Sequence, residues 1–166
     1  MAFNHHADLN PHQQYRIKKL KRELNRAETY AEWKEIALSL DQETGAQEWK
    51  YDNSSPYFDA EIISHRLNML RRYKLQNRVV DLIYILREGL SHDVANIGHP
   101  MLFTQTYVGT KKIIEDYIHE VCESLIFIAS QKCDSLSIKE KIEFFQNCQL
   151  AYGQPAMMFS GGASLG

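Results

Sequence analysis

The sequence predicts a mainly α chain: about six helices, followed by the first strand and glycine-rich loop of an incomplete α/β domain. Three observations predict it. Apolar residues recur at intervals of three and four from residue 12 to about residue 152. Capping residues stand in front of several of these runs. Past residue 152 the pattern changes to a short apolar run, Ala156-Met157-Met158-Phe159, which breaks into Ser160-Gly161-Gly162.

The elements follow in order. Residues 12–26 place Ile17, Leu20 and Leu24 on one narrow stripe, ringed by Arg16, Lys18, Lys19, Lys21, Arg22 and Arg26. Thr29 and Glu32 form a capping-box pattern, and Trp33, Ile36, Ala37 and Leu40 then make an apolar face. Gly45 is placed to end that helix, and Tyr51-Asp52-Asn53-Ser54-Ser55-Pro56 reads as a turn. Asp59 caps a third helix carrying Ile62, Ile63, Leu67 and Leu70. After a break near Gln76-Asn77, a fourth segment holds Val79, Val80, Leu82, Ile83, Ile85 and Leu86. It is apolar nearly all round and is expected at the centre of the core. Gly89, Gly98 and Pro100 mark residues 89–101 as a loop. A long fifth helix, about Thr110 to Ser130, carries Ile113, Ile114, Tyr117, Ile118, Val121, Leu125 and Ile128. Ser137 and Glu140 cap a sixth, with Ile142, Phe145 and Cys148 expected inward and Gly153 and Pro155 ending it.

At 166 residues the chain fits one domain with a usable core, and 44% apolar with 24% charged residues is an ordinary globular balance. The net charge of −2 gives no overall pull toward nucleic acid. The charge is banded, however: residues 1–26 balance to +4 and residues 27–66 to −6. The basic helix can lie on an anionic lipid surface through Arg16, Lys18, Lys19, Lys21 and Arg22, with Ile17, Leu20 and Leu24 inserted. Equally, it can be a solvated helix packed by one stripe. Tyr15 is the one aromatic there and an acidic band follows, which argues against nucleic acid. Arg71-Arg72-Lys74 and Arg78 either extend a basic face or solvate a helix end.

Cys122, Cys133 and Cys148 are odd in number and lack CxxC spacing, which favours a reducing, cytoplasmic setting over a disulfide framework. Asn4, His5, His6 and Asp8 stand where a signal peptide needs an apolar stretch, and no run is long and apolar enough to span a membrane. A peripheral place at a membrane surface stays open. His119 and Cys122 share a helix face, with Glu115 and Glu123 a turn to either side. A metal site needs three or four convergent ligands, so neither a metal nor another cofactor is expected. His92 and His99 bracket a loop and read as solvated.

In the tail, successive backbone N–H groups of a glycine-rich turn can form a concave site for a phosphate or a developing oxyanion. Gly162-Ala163-Ser164-Leu165-Gly166 also matches G-x-S-x-G literally, which makes Ser164 a formal candidate nucleophile. In hydrolases of that build the acid and base come after the serine in the chain, and here two residues follow it. A tight turn without chemistry is the third reading.

Three stretches resemble one family. Tyr30-Ala31-Glu32-Trp33 with Ala37, Leu40 and Asp41, then Trp49, Ser55, Pro56, Tyr57 and Asp59, resemble the helical region that precedes the patatin-like domain of triacylglycerol lipases. Leu86-Arg87 with Gly89-Leu90, and Tyr107-Val108-Gly109-Thr110-Lys111 with Tyr117-Ile118 and Glu120-Val121, fit the same region. Gly153-Gln154-Pro155-Ala156-Met157-Met158-Phe159-Ser160-Gly161-Gly162 is similar to the first strand and glycine-rich loop of the hydrolase itself. The resemblance implies serine lipases with a Ser–Asp dyad, whose nucleophile lies later, in a G-x-S-x-G elbow. By position it makes Gly161, Gly162 and Ala163 the oxyanion-hole loop. Ala163 stands where the family often has a third glycine, and Ser91-His92-Asp93-Val94 departs from its Arg-Asn-containing pattern.

The organisation expected is a basic N-terminal helix over 1–27, a helical lipase N-terminal region over 28–152, and the start of a patatin-like hydrolase over 153–166. The function expected is that of the N-terminal part of a serine lipase acting on acyl esters of triacylglycerol or phospholipid. The partner is then lipid, at a membrane or lipid-droplet surface, and this chain alone is inactive. The alternative is a non-catalytic helical module that binds a membrane or a partner.

Overall fold

The computed structural model describes residues 10–89, 94–131 and 136–152. Among them are seven α-helices and two short 3-10 turns, so the mainly α class holds. The expected strand and glycine-rich loop, residues 153–166, lie outside the described residues.

Helix α1 (Pro11–Leu24) starts at Asn10, whose side chain accepts from the Gln13 amide while the Gln13 side chain accepts from Asn10 N. Pro11 then costs nothing at the first helical position. Ile17 is buried and Leu20 and Leu24 are half-buried, against α2 (Tyr30–Glu43). Thr29 and Glu32 close the expected capping box on α2. Gly45, at φ +73°, supplies the left-handed turn beyond its end. A short helix that the periodicity did not separate, α3 (Ala46–Tyr51), follows at once. The expected turn then forms: Asp52 Oδ1 accepts from Ser54 N at 2.9 Å and from the Ser54 hydroxyl at 2.8 Å.

Asp59 caps α4 (Ala60–Leu75) through the amides of Glu61 and Ile62. Asn77 makes the break at φ 54°, a conformation asparagine tolerates better than most residues. Helix α5 (Val79–Glu88) buries Val79, Leu82, Ile83, Ile85 and Leu86. It is central as expected but not apolar all round, because Val80 and Tyr84 lie on an exposed face. The 89–101 stretch contains 3-10 turns at Val94–Asn96 and Pro100–Phe103. Leu102 from the second turn is fully buried in the core.

Helix α6 (Lys112–Ser130) packs along α4, and Lys141 ends it by donating to the carbonyls of Ala129 (3.0 Å) and Gln131 (2.7 Å). Ser137 and Glu140 cap α7 (Ile138–Tyr152) reciprocally, as expected. The inward face of α7 differs from the expectation. Phe144 and Cys148 are buried, Phe145 is half-buried and Ile142 is exposed. Both stripes have helical spacing and each carries a phenylalanine, so the position of α5 against α7 decides which one is buried. The Phe144 ring also lies 5.9 Å below the Arg87 guanidinium. Ile62 on α4 and Ile118 on α6, carried on the apolar runs of those helices, are exposed.

The burial falls into two bodies. One continuous core runs from Phe58 through α4, α5, α6 and α7 to Cys148. Ile17, Ala37, Leu40 and Ala46 are buried outside it, within α1–α3. These three helices join the bundle through α3 against α6 and through the loop 104–111.

Candidate functional site

The 104–111 loop holds the densest cluster of buried charge. Asp41 lies on the apolar face of α2, in line with Trp33 and Ala37, and is fully buried. Its Oδ1 accepts from Tyr107 N at 2.7 Å and its Oδ2 from Val108 N at 3.0 Å. Lys50, buried at the end of α3, donates to Val108 O at 2.5 Å. Its Nζ also lies 3.7 Å from Glu115 Oε1, which accepts from Thr110 N at 3.0 Å. The Thr110 hydroxyl donates to Leu102 O at 2.6 Å.

Lys111 is the most unusual member, with 1% of its surface exposed. Its ammonium donates to Trp49 O (2.7 Å) and Asp52 O (2.6 Å), and it lies 4.1 Å from the centre of the Trp49 ring. These carbonyls belong to the C-terminal end of α3, where a helix has unpaired acceptors and partial negative charge. The ring face adds a cation–π attraction. Burial nevertheless pushes the Lys111 ammonium below its ordinary pKa, and the field of Asp52 opposes that shift. The Ser54 hydroxyl and amide hold the Asp52 carboxyl below its ordinary value, with a smaller contribution from Lys111.

Gly109 makes the geometry feasible. It sits at φ +75°, and a β-carbon there would collide with Glu115 Oε1. Only glycine allows the loop to turn left-handed while that carboxylate reaches the Thr110 amide. Every buried charge in the cluster is thus engaged by backbone groups or by another charge. The arrangement can clamp two bodies together; it presents no nucleophile beside a base.

A second buried charge lies between α4 and α6. Glu120 takes Lys74 Nζ at 2.5 Å on Oε1 and Arg71 Nε at 3.3 Å on Oε2. Arg71 and Lys74, members of the cluster expected either to extend a basic face or to solvate a helix end, are therefore partly spent on an internal carboxylate. Tyr117, one turn earlier on α6, has its hydroxyl pushed up in pKa by burial, while Arg66 beside it pulls the other way.

The site residues expected from the sequence divide clearly. Gly161, Gly162, Ala163 and Ser164 lie outside the described residues, as do His5, His6, His92 and Cys133. Arg16, Lys18, Lys19, Lys21 and Arg22 all project from the exposed surface of α1. Arg16 pairs with Glu43 of α2 at 2.7 Å, and Lys19 lies 3.7 Å from Glu23. His119, Cys122 and Glu123 are exposed, whereas Glu115 turns inward to Lys50. Among the described residues no three His, Cys, Asp or Glu side chains gather to hold a metal ion. His99 is not a free loop histidine: it stacks on Tyr57 at 4.8 Å, and its Nδ1 accepts from Met101 N at 3.2 Å. Among the described residues no helix is long and apolar enough to cross a membrane.

Periodicity gave no sign of the roles of Lys50 and Glu115. The available signals were an acid on an apolar stripe, Asp41, and a glycine directly before Thr110-Lys111.

A family model described as "Domain of unknown function (DUF3336)" matches residues 11–150. The chain is 32% identical over 147 residues to the triacylglycerol lipase ptl3 of Schizosaccharomyces pombe, covering 89% of this chain and 30% of that protein. It is 32% identical over 152 residues to the triacylglycerol lipase SDP1L of Arabidopsis thaliana, covering 92% of this chain and 18% of that one. A patatin-like phospholipase domain-containing protein of Lodderomyces elongisporus is 29% identical over 148 residues, covering 88% and 18%. The chain therefore spans less than a third of the length of these relatives. No solved structure matches.

Proposed function

Because the chain belongs to the DUF3336 family, the N-terminal region of triacylglycerol lipases and patatin-like phospholipases, we infer that it is the helical scaffold region of a serine lipase acting on acyl esters of triacylglycerol or phospholipid. The observation that carries this reading is the family match over residues 11–150, nearly the whole helical body, together with 32% identity to much longer relatives named as triacylglycerol lipases. The buried charges support a scaffold role, since Asp41, Lys50, Lys111 and Glu115 are all bound in place. In this reading residues 153–166 begin the hydrolase. Gly161, Gly162 and Ala163 offer backbone N–H groups to the tetrahedral oxyanion, and the nucleophilic serine and its Asp lie beyond this chain. Loss of one oxyanion donor typically costs about 3 kcal/mol of transition-state stabilisation, so donors without a nucleophile catalyse almost nothing. The scaffold works in the cytoplasm, at a membrane or lipid-droplet surface where the substrate resides.

The 166-residue chain is accordingly expected to show no turnover of a short-chain nitrophenyl ester. Turnover above background that disappears in Ser164→Ala would make Ser164 the nucleophile and overturn the assignment of the oxyanion loop.

A second reading, a non-catalytic module that binds a membrane surface, is favoured by the cations on the exposed surface of α1. Each basic residue near an anionic bilayer contributes about 1 kcal/mol, screened by salt. Cosedimentation with phosphatidylserine vesicles, with and without residues 1–26, tests it. Equal binding by both forms, or none by either, removes that role from α1.

A further inference from the structure

Among the described residues, helix α7 packs on α5 and on the end of α6 and leaves its other side exposed. Phe144 and Cys148 face the core and the helix lies against α5. Its outer surface carries Ile138 at 78% exposure, Ile142 at 53% and Leu150 at 79%. Ile138 and Ile142 stand one above the other at i and i+4, while the half-buried Phe145 beside them packs against the core. Large aliphatic residues placed in line on the outside of a helix mark a surface that meets another body.

We propose that this outer stripe of α7 is the docking surface for the hydrolase domain of the same polypeptide, an inference that rests on the lipase-scaffold reading above. Three observations select this occupant. The family match ends at residue 150, inside α7, while the matched relatives extend far beyond the region this chain covers. A domain that follows α7 through a short connection is held beside it at an effective concentration of the order of millimolar, so even a modest apolar patch is enough to seat it. The charge on α7 also argues against a lipid surface. Lys139 and Lys141 are balanced by Glu140 and Glu143. Glu140 and Lys141 are spent on capping, the first on Ser137 and the second on the end of α6. That leaves an outer face with few free charges and no net sign, as in the core of a protein interface. The contrast is α1, whose exposed side is strongly cationic.

Hydroxyl-radical footprinting with mass spectrometry reads side-chain exposure directly. Two samples are compared: the 166-residue chain, and a fusion in which it replaces the matched region of ptl3. In the chain alone, Ile138, Ile142 and Leu150 are expected to be modified rapidly, at rates independent of protein concentration. In the fusion their modification falls several-fold, while that of Leu75 on α4, 89% exposed, does not change. If the fusion does not fold, the chain is mixed with the separately prepared remainder of ptl3 and read the same way. Ile142→Lys, at an exposed site, is expected to leave the melting temperature of the chain unchanged and to abolish the protection. Unchanged modification of α7 in a fusion that hydrolyses tributyrin overturns the docking proposal and leaves the lipase reading intact. Protection in a fusion that hydrolyses no acyl ester does the reverse. Concentration-dependent protection in the chain alone would assign the stripe to a second copy, and protection by vesicles alone would assign it to lipid. Either result overturns the proposal.

Discussion

Replacing Asp41 by Ala removes a side chain that ties α2 to the 104–111 loop. The fully buried carboxylate accepts the amides of Tyr107 and Val108 at 2.7 and 3.0 Å. Asp41→Ala removes both hydrogen bonds to the carboxylate, whose donors lie on the partly exposed Tyr107 and Val108. A hydrogen bond to a charged group contributes about 1.5–3 kcal/mol, so the loss is expected at about 4 kcal/mol at most. In a chain of this size, about 2–4 °C of melting temperature accompanies each kcal/mol, which predicts a fall of about 8–16 °C at most. Asp41→Asn keeps one acceptor but turns an NH2 group toward the second amide; its cost should be about half as large. Because the buried apolar residues of α1–α3 lie outside the main core, with Trp49 of α3 packed against its edge, the damage should fall unevenly. Amide exchange in 30–51 is expected to accelerate strongly, while exchange in 79–87 and 113–128 changes much less. Urea unfolding followed by circular dichroism, together with hydrogen exchange, makes the measurement. A loss under about 1 kcal/mol with unaltered exchange in 30–51 would refute the idea that the buried carboxylate holds the two bodies together.

Gly109→Ala combines a left-handed φ of +75° with a collision at Glu115 and should cost at least about 2 kcal/mol, whereas Gly45→Ala, at φ +73° with open space around it, should cost about 1. Equal melting temperatures for the two variants would contradict this difference. Lys111 has its pKa lowered in the fold from the ordinary 10.5, so between the two values the unfolded chain binds more protons and the Lys111 contribution to stability rises with pH. The stability difference between the wild-type chain and Lys111→Met should therefore shift in favour of wild type as pH approaches 10.5; a flat or falling difference would show that the ammonium carries no burial penalty. Ser137→Ala should cost about 1 kcal/mol through loss of the α7 cap, read as a lower urea midpoint with an unchanged slope.

Much of the secondary structure was legible in the sequence because its signals are local. Thr29 with Glu32, Asp59, and Ser137 with Glu140 cap the helices they were expected to cap, since a cap needs only residues three or four apart. Gly45 and Asn77 turn the chain where expected, because a left-handed φ is a property of one residue. Phase was not local. Ile142 and Phe144 both belong to acceptable helical stripes, and only the position of α5 decided that the aromatic ring is inside and the isoleucine outside. The charged cluster was the least legible. Asp41 and Lys111 belong to a recognisable pattern, but nothing local says that Asp41 holds amides 66 and 67 residues away, or that Lys111 caps a helix 62 residues before it. A charge is stable in such a place only when distant groups replace its water, and those groups are brought there by the fold as a whole. By itself, therefore, the sequence determined the longer helices, several of their caps and the family. Tertiary packing alone decided which apolar faces close, which charges are buried, and that α1–α3 are clamped to the bundle by backbone amides and carbonyls, with Trp49 the apolar contact between them.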